Sequence, residues 1–245
     1  MKTFAVVLLV VSAAVAPAAK ASTVDASCGR PVILLHGTAN DSRGTWRELT
    51  AELRKDKRCV YAPDYGNRAR NPIALSAKEI GAYVDRVLAD TGSSEVDIVG
   101  YSQGGVVARH YLKFLGGTTK VNSVISIASP HHGIPGTLPD WLVKRCPACS
   151  DQLATSPFMK ALNDGGDLVG SVRYTTIGSR HDGLVPLASQ TLSGPADRVT
   201  NVVVQDTCPL DFTGHGQMTH ARPVIKWTVN ALRRGGLADP AHRAC

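Results

Sequence analysis

The run Gly100-Tyr101-Ser102-Gln103-Gly104 sets a serine between two glycines, directly after the apolar stretch "VDIV" and just ahead of "VVARHYLKFL". A serine hydroxyl is a weak nucleophile until a base removes its proton. A tight strand-to-helix turn of the form Gly-x-Ser-x-Gly holds that hydroxyl exposed above a sheet, and it needs small neighbours because the turn crowds side chains. The five-residue pattern alone is common by chance. Framed by a strand pattern and a helix pattern, it makes Ser102 a candidate nucleophile instead of one more small polar residue in a turn.

Attack on a carbonyl creates an oxyanion that needs preorganised N–H donors. Gln103, the residue after the serine, opens the following helix and offers one. "LLHGT" ends an earlier strand with a His-Gly turn and offers Thr38 as the second, its plain alternative being an ordinary strand-ending turn. A base and an orienting acid should follow in the chain order Ser, Asp or Glu, His. Of the eight histidines, His36 belongs to the oxyanion turn, His110 to the helix after the serine, and His131 and His132 precede any suitable acid; His181, His215, His220 and His242 remain. Asp182, in "SRHDGLVP", follows the strand pattern "VRYTTIG", and His215, in "DFTGHGQM", falls between the last strand and the closing helix. Acid and base belong in such loops at the carboxyl ends of strands. His220 is the nearest rival base, but it abuts a helix start, where a capping or surface role is expected. Asp206 and Asp211 are rival acids, expected instead to serve the loop backbone.

The elements that must position these residues alternate along the chain. "PVILLHG" (31–37), "CVYAPD" (59–64), "EVDIVG" (95–100), "VNSVISIAS" (121–129), "VRYTTIG" (172–178) and "VTNVVVQD" (199–206) read as strands. Between them lie amphipathic stretches: "TWRELTAELRK" with Trp46, Leu49 and Leu53 on one face, and "SAKEIGAYVDRVLADTG" with Ser76 as N-cap and Glu79 three residues on. A last helix is expected over "RPVIKWTVNALRR". Strand, helix, strand with continuous apolar strands predicts an α/β fold, a mostly parallel sheet with helices on both faces. Residues 131–168 break the rhythm and read as a small cap-like excursion above the carboxyl edge of the sheet. Its apolar residues Leu138, Trp141, Leu142 and Val143 are expected to meet an acyl chain there; packing on the rim of the sheet is the alternative.

The chain of 245 residues fits one α/β domain, and 43% hydrophobic with 19% charged residues excludes general disorder. "MKTFAVVLLVVSAAVAPAAKA" has Lys2, an apolar run from Phe4 to Val15 and a small-x-small ending, so residues 1–21 read as a secretory signal peptide and 22–245 as the mature domain. The apolar run is too short to span a bilayer. "VDASC" lacks the leucine of a bacterial lipid-attachment sequence. Without Lys2 and Lys20, 25 basic residues face 20 acidic ones, a net charge of +5. The basic residues are scattered and not interleaved with aromatics, which argues against nucleic-acid binding. All six cysteines lie beyond the signal, and an even count in an exported protein points to disulfides. Cys28 and Cys59 each begin a predicted strand at the same sheet edge, Cys146 and Cys149 form a local "CPAC" pair, and Cys208 is left for Cys245. No second Cys-x-x-Cys accompanies "CPAC" for zinc and it follows no strand of a βαβ unit, so a local disulfide is expected; no metal or cofactor is expected for the chain.

Over nearly the whole mature chain, "PVILLHGT", "VYAPDYG", "VDIVGYSQGG", "ARHYLKFLGG", "CPAC", "ALNDGGD" and "VVVQDTCPLDF" resemble the secreted actinobacterial class 2 lipases of the α/β-hydrolase fold. The resemblance implies hydrolysis of carboxylic esters of lipids, with Ser102, Asp182 and His215 on the triad positions and Thr38 and Gln103 on the oxyanion positions. Two departures stand out: Tyr101 replaces the more usual histidine before the nucleophile, and "GHGQMTH" replaces an Asp-His-apolar pattern around the base. The expected function is therefore a secreted, monomeric, metal-independent serine ester hydrolase acting on a lipid or small-molecule ester and touching a lipid-water interface transiently. A phospholipase or acyltransferase on the same triad, or a short-chain carboxylesterase, would share every motif. Two readings from other classes are a binding protein on an inactive hydrolase scaffold and a disulfide-exchange protein using "CPAC".

Overall fold

In the computed structural model, which describes residues 29–245, burial on both sides of the strands decides the layering. Residues 1–21, read as a signal peptide, and Cys28 lie outside the described residues. Chain order is β1 (Val32–Leu35), α1 (Ser42–Lys55), β2 (Val60–Tyr61), α2 (Gly66–Ala69), α3 (Ile73–Thr91), β3 (Val96–Tyr101), α4 (Gln103–Phe114) and β4 (Val121–Ile127). The short helices α5 (Asp140–Arg145), α6 (Pro147–Asp151) and α7 (Pro157–Asn163) follow. The remainder is β5 (Arg173–Gly178), α8 (Leu187–Gln190), β6 (Val199–Val203), α9 (Val204–Thr207) and α10 (Arg222–Arg233). Among the described residues the strands form one sheet ordered β2-β1-β3-β4-β5-β6, with every neighbouring pair parallel.

Alternate residues of the central strands enter two separate cores. Ile33, Leu35 and Ile98 pack with Ile80 and Val84 of α3 and Val107 and Tyr111 of α4. Val32, Leu34, Val99 and Ile125 face the other way, onto Trp46, Leu49 and Leu53 of α1 and Val224, Trp227 and Ala231 of α10. Each such side chain contributes roughly 1.5–3 kcal/mol by leaving water. This two-sided burial explains why the strands read as continuous apolar runs instead of alternating ones.

Three local expectations fail. Ser76 does not cap α3: the helix begins at Ile73 after Pro72, and Ser76 is buried within its first turn. The Ile73 N–H is satisfied by Asp151 Oδ2 at 2.8 Å, a carboxylate from the excursion, while Glu79 accepts from the Gly66 N–H at 2.9 Å. The second predicted strand contracts to Val60–Tyr61, since Pro63 has no N–H to give a ladder. The last contracts to Val199–Val203, because β6 is the sheet's outer strand and its chain turns at once into α9.

The excursion is tied to the sheet by buried polar groups. Arg109 of α4, 1% exposed, donates to the His131 carbonyl and to Asn163 Oδ1, both at 3.1 Å, and pairs with Asp167 at 3.5 Å. His131 Nε2 lies 2.7 Å from Ser126 Oγ, and burial holds its imidazole well below the ordinary histidine range, so it is a neutral structural group. Disulfides join Cys146 to Cys149 and Cys208 to Cys245 as expected from the sequence. Cys59 is disulfide-bonded, and the expected pairing with Cys28 involves a residue outside the described ones.

Candidate active site

β3 ends at Tyr101 and α4 begins at Gln103, so Ser102 makes the whole turn between them, at φ 52° and ψ −121°. Such backbone is sparsely populated by non-glycine residues and persists only where the surroundings enforce it. Here α4 presses against the strands beneath it. A Cβ on Gly100 would lie 2.4 Å from the Gly105 nitrogen, and one on Gly104 would lie 2.2 Å from the Leu35 carbonyl oxygen. Gly104→Ala is therefore expected to destabilise the protein by about 1–3 kcal/mol through overpacking, measured as a lower urea midpoint. An unchanged midpoint would mean the helix can lift without cost.

The strand order brings the other residues to this turn. β1 and β3 are neighbours, with Leu35 paired to Gly100, so Thr38 in the loop after β1 emerges beside Ser102. Thr38 Oγ1 donates to Gln103 Oε1 at 2.5 Å and accepts from Gln152 Nε2 at 3.1 Å. As the first residue of α4, Gln103 has an N–H with no acceptor inside the helix, and that N–H opens at the foot of Ser102. Gln152, 4% exposed at the end of α6, is absent from the sequence-derived candidates. No local motif marks it, because its partner stands 114 positions away.

His215 opens a short 3-10 turn after β6 and α9, and Asp182 lies in the loop after β5. His215 Nε2 stands 3.0 Å from Ser102 Oγ and His215 Nδ1 stands 2.7 Å from Asp182 Oδ2. The Asp182 side chain is fully buried; its Oδ1 accepts from the N–H groups of Leu184 and Val185 at 2.9 and 2.8 Å, and Gln190 donates to its Oδ2 at 3.2 Å. Towards the imidazole such a carboxylate is an acceptor, which puts the ring proton on Nδ1. That tautomer leaves Nε2 as the acceptor facing the serine hydroxyl.

The rivals point elsewhere. His220 Nδ1 lies 2.7 Å from Glu48 Oε2 at the surface, and hydrogen bonds from Arg47 and then His220 hold Glu48 down to about 2. Asp206 is paired with Arg180 at 2.5 Å, and Asp211 accepts from the Thr213 N–H at 2.9 Å. His36 is buried and stacked on Tyr65, and burial lowers its pKa below the ordinary value. In the excursion, Leu138 is half-buried, Leu142 packs against the core cluster that holds Cys146 and Ala148, and Trp141 is 61% exposed. Among the described residues no group of three or more His, Cys, Asp or Glu could hold a metal ion, and no helix is long and apolar enough to cross a membrane.

Comparison with known proteins adds an independent line. A family described as Lipase (class 2) matches residues 29–228. A triacylglycerol lipase of Burkholderia plantarii is 32% identical over 126 residues, which cover 49% of this chain and 35% of that protein. A triacylglycerol lipase of Pseudarthrobacter phenanthrenivorans is 31% identical over 109 residues, or 42% of this chain and 34% of that protein. The chain thus spans about a third of the length of these relatives. The crystal structure of Aspergillus fumigatus lipase B superposes with a TM-score of 0.77 at 24% identity, over 89% of this chain and 57% of that one.

Proposed function

The chain belongs to the class 2 lipase family and has the α/β-hydrolase fold, and from that premise we propose that it hydrolyses carboxylic esters of acylglycerols or other lipids through an acyl-enzyme on Ser102. The observation that carries the proposal is the unbroken relay from Ser102 Oγ to His215 Nε2 at 3.0 Å and from His215 Nδ1 to Asp182 at 2.7 Å. His215 takes the proton as Ser102 Oγ attacks the ester carbonyl, then returns it to the leaving alcohol. Water, activated by the same imidazole, releases the acid. Asp182 orients the ring and stabilises the imidazolium. The backbone N–H groups of Thr38 and Gln103 bind the oxyanion.

The substrate is an ester with an acyl chain, and Leu138, Trp141 and Leu142 are its proposed contacts. Leu184, Leu210 and Phe212 also stand 53%, 87% and 71% exposed within five residues of Asp182 or His215 on their own loops. Large apolar side chains left in water around a site mark a surface that meets an apolar partner, here a lipid-water interface touched during turnover. Export by residues 1–21, action as a monomer and a single catalytic domain over 22–245 complete the proposal. The Cys146–Cys149 and Cys208–Cys245 bonds support export, since disulfides persist in oxidising compartments.

Each methylene buried is worth about 0.8 kcal/mol. In an acyl groove, kcat/KM should therefore climb from acetyl towards octanoyl esters, and Trp141→Ala should flatten the climb with little effect on acetyl esters. A wild-type protein fastest on acetyl esters, with no gain for longer chains, would reject the groove and leave a short-chain carboxylesterase. Selective turnover of phospholipids, or of an alcohol acceptor over water, would move the assignment to a phospholipase or an acyltransferase on the same triad.

A further inference from the structure

Tyr101 adjoins the nucleophile and takes no part in the steps above. It is 5% exposed, and its hydroxyl donates to the main-chain carbonyl of His215 at 2.9 Å. The two rings lie with centroids 5.3 Å apart, tilted by 34°. Burial, with the Asp182 charge nearby, pushes the phenol above its ordinary range, so the hydroxyl stays a donor. The same carbonyl accepts from the Met218 N–H at 3.2 Å, so it is gripped from two sides.

The grip matters because of what flanks the base. His215 stands between Gly214 and Gly216, and a Cβ on Gly216 would meet nothing within 4 Å. Glycine on either side leaves the backbone the widest conformational freedom, whereas a displacement of about 1 Å at a reacting centre can cost 10²-fold in rate. The bond from Nδ1 to Asp182 orients the imidazole, and the Met218 N–H holds the His215 carbonyl only within its own 3-10 turn. A hydrogen bond from Tyr101 ties the backbone of the base to the strand that carries the nucleophile, since Tyr101 is covalently joined to Ser102. It bypasses the loop of residues 208–214, where Leu210 and Phe212 are exposed.

We infer that Tyr101 is a positioning residue whose hydroxyl registers the backbone of His215 to the strand that carries Ser102. The inference rests on the proposed triad. A buried ring that only fills space beneath the base would make the same ring contact, so the hydroxyl is the part to remove.

Tyr101→Phe keeps the ring and deletes the donor. The expected result is a kcat lower by about 10- to 100-fold, with KM and the urea midpoint close to wild type and the rate of fluorophosphonate inactivation lowered by the same factor as kcat. Adding Gly216→Ala, which stiffens the same backbone at a position with room for a methyl, should recover part of the loss. Wild-type kcat in Tyr101→Phe overturns the inference. So does a loss of kcat matched by a fall in the urea midpoint, which would make Tyr101 a packing residue, or a loss that Gly216→Ala deepens. A wild-type protein that hydrolyses no ester at all is a different result and contradicts the proposed function itself.

Discussion

Ser102→Ala is expected to lower kcat by about 10⁴- to 10⁶-fold, the range seen when a triad nucleophile is deleted, while the protein stays folded. In free energy this is about 5–8 kcal/mol of barrier at 1.36 kcal/mol per decade. The substitution removes one oxygen, whose hydrogen-bond partner is His215 Nε2 at 3.0 Å. Alanine at φ 52° carries the same backbone strain that serine already bears, and the two-sided core beneath the turn is untouched. The urea midpoint should therefore match wild type while hydrolysis of any acyl ester falls to background. Substantial esterase activity in pure Ser102→Ala protein would remove the nucleophile from Ser102.

His215→Ala is expected to lose turnover on a similar scale, about 10⁴- to 10⁶-fold, because Ser102 keeps its place but has no acceptor for its proton. The companion variant, His220→Ala, is expected to keep kcat within about threefold of wild type and to cost about 0–1 kcal/mol of stability, as exposed ion pairs do. Its partner Glu48 lies at the surface and already holds Arg47. Five positions separate the two histidines, and only His215 faces the serine. The reverse order of effects, a mild His215→Ala and a crippled His220→Ala, would move the base to His220.

Why the candidate triad Ser102, Asp182 and His215 is legible in the sequence, while Gln152 and the cap of α3 are not, has a physical cause. The serine turn is local: steric crowding between Gly100, Gly104 and their neighbours demands small residues at fixed covalent spacing, and the spacing survives in the chain. The candidate acid and base are not local, yet a parallel sheet puts the loops that follow its strands on one edge, so chain order narrows the candidates to two loops. The helices α1, α3 and α10 are legible because each buries one stripe, whereas α4, buried over most of its surface, is legible from its place directly after the serine turn. The start of α3 misleads because its cap comes from outside. Ser76 followed by Glu79 has the form of a capping box, but Asp151, 78 positions further on, satisfies Ile73 instead. Asp151 and Gln152 reach Ile73 and Thr38 from the end of α6, which packs against α3. Tyr101 stands out in the sequence as a departure from a family pattern; its hydrogen bond to a carbonyl 114 positions away is a tertiary contact that no local spacing reveals.

One serine, Ser102, is the proposed nucleophile of a base-activated hydrolase. The most direct measurement is covalent labelling of wild-type protein and Ser102→Ala with a fluorophosphonate, with the labelled peptide identified by mass spectrometry and residual hydrolysis followed in parallel. One adduct per wild-type chain, on the peptide that contains Gly100-Tyr101-Ser102-Gln103-Gly104, with hydrolysis lost in step with labelling and no adduct on Ser102→Ala, is the expected result. An adduct on another residue, or full hydrolysis surviving complete labelling, would contradict it.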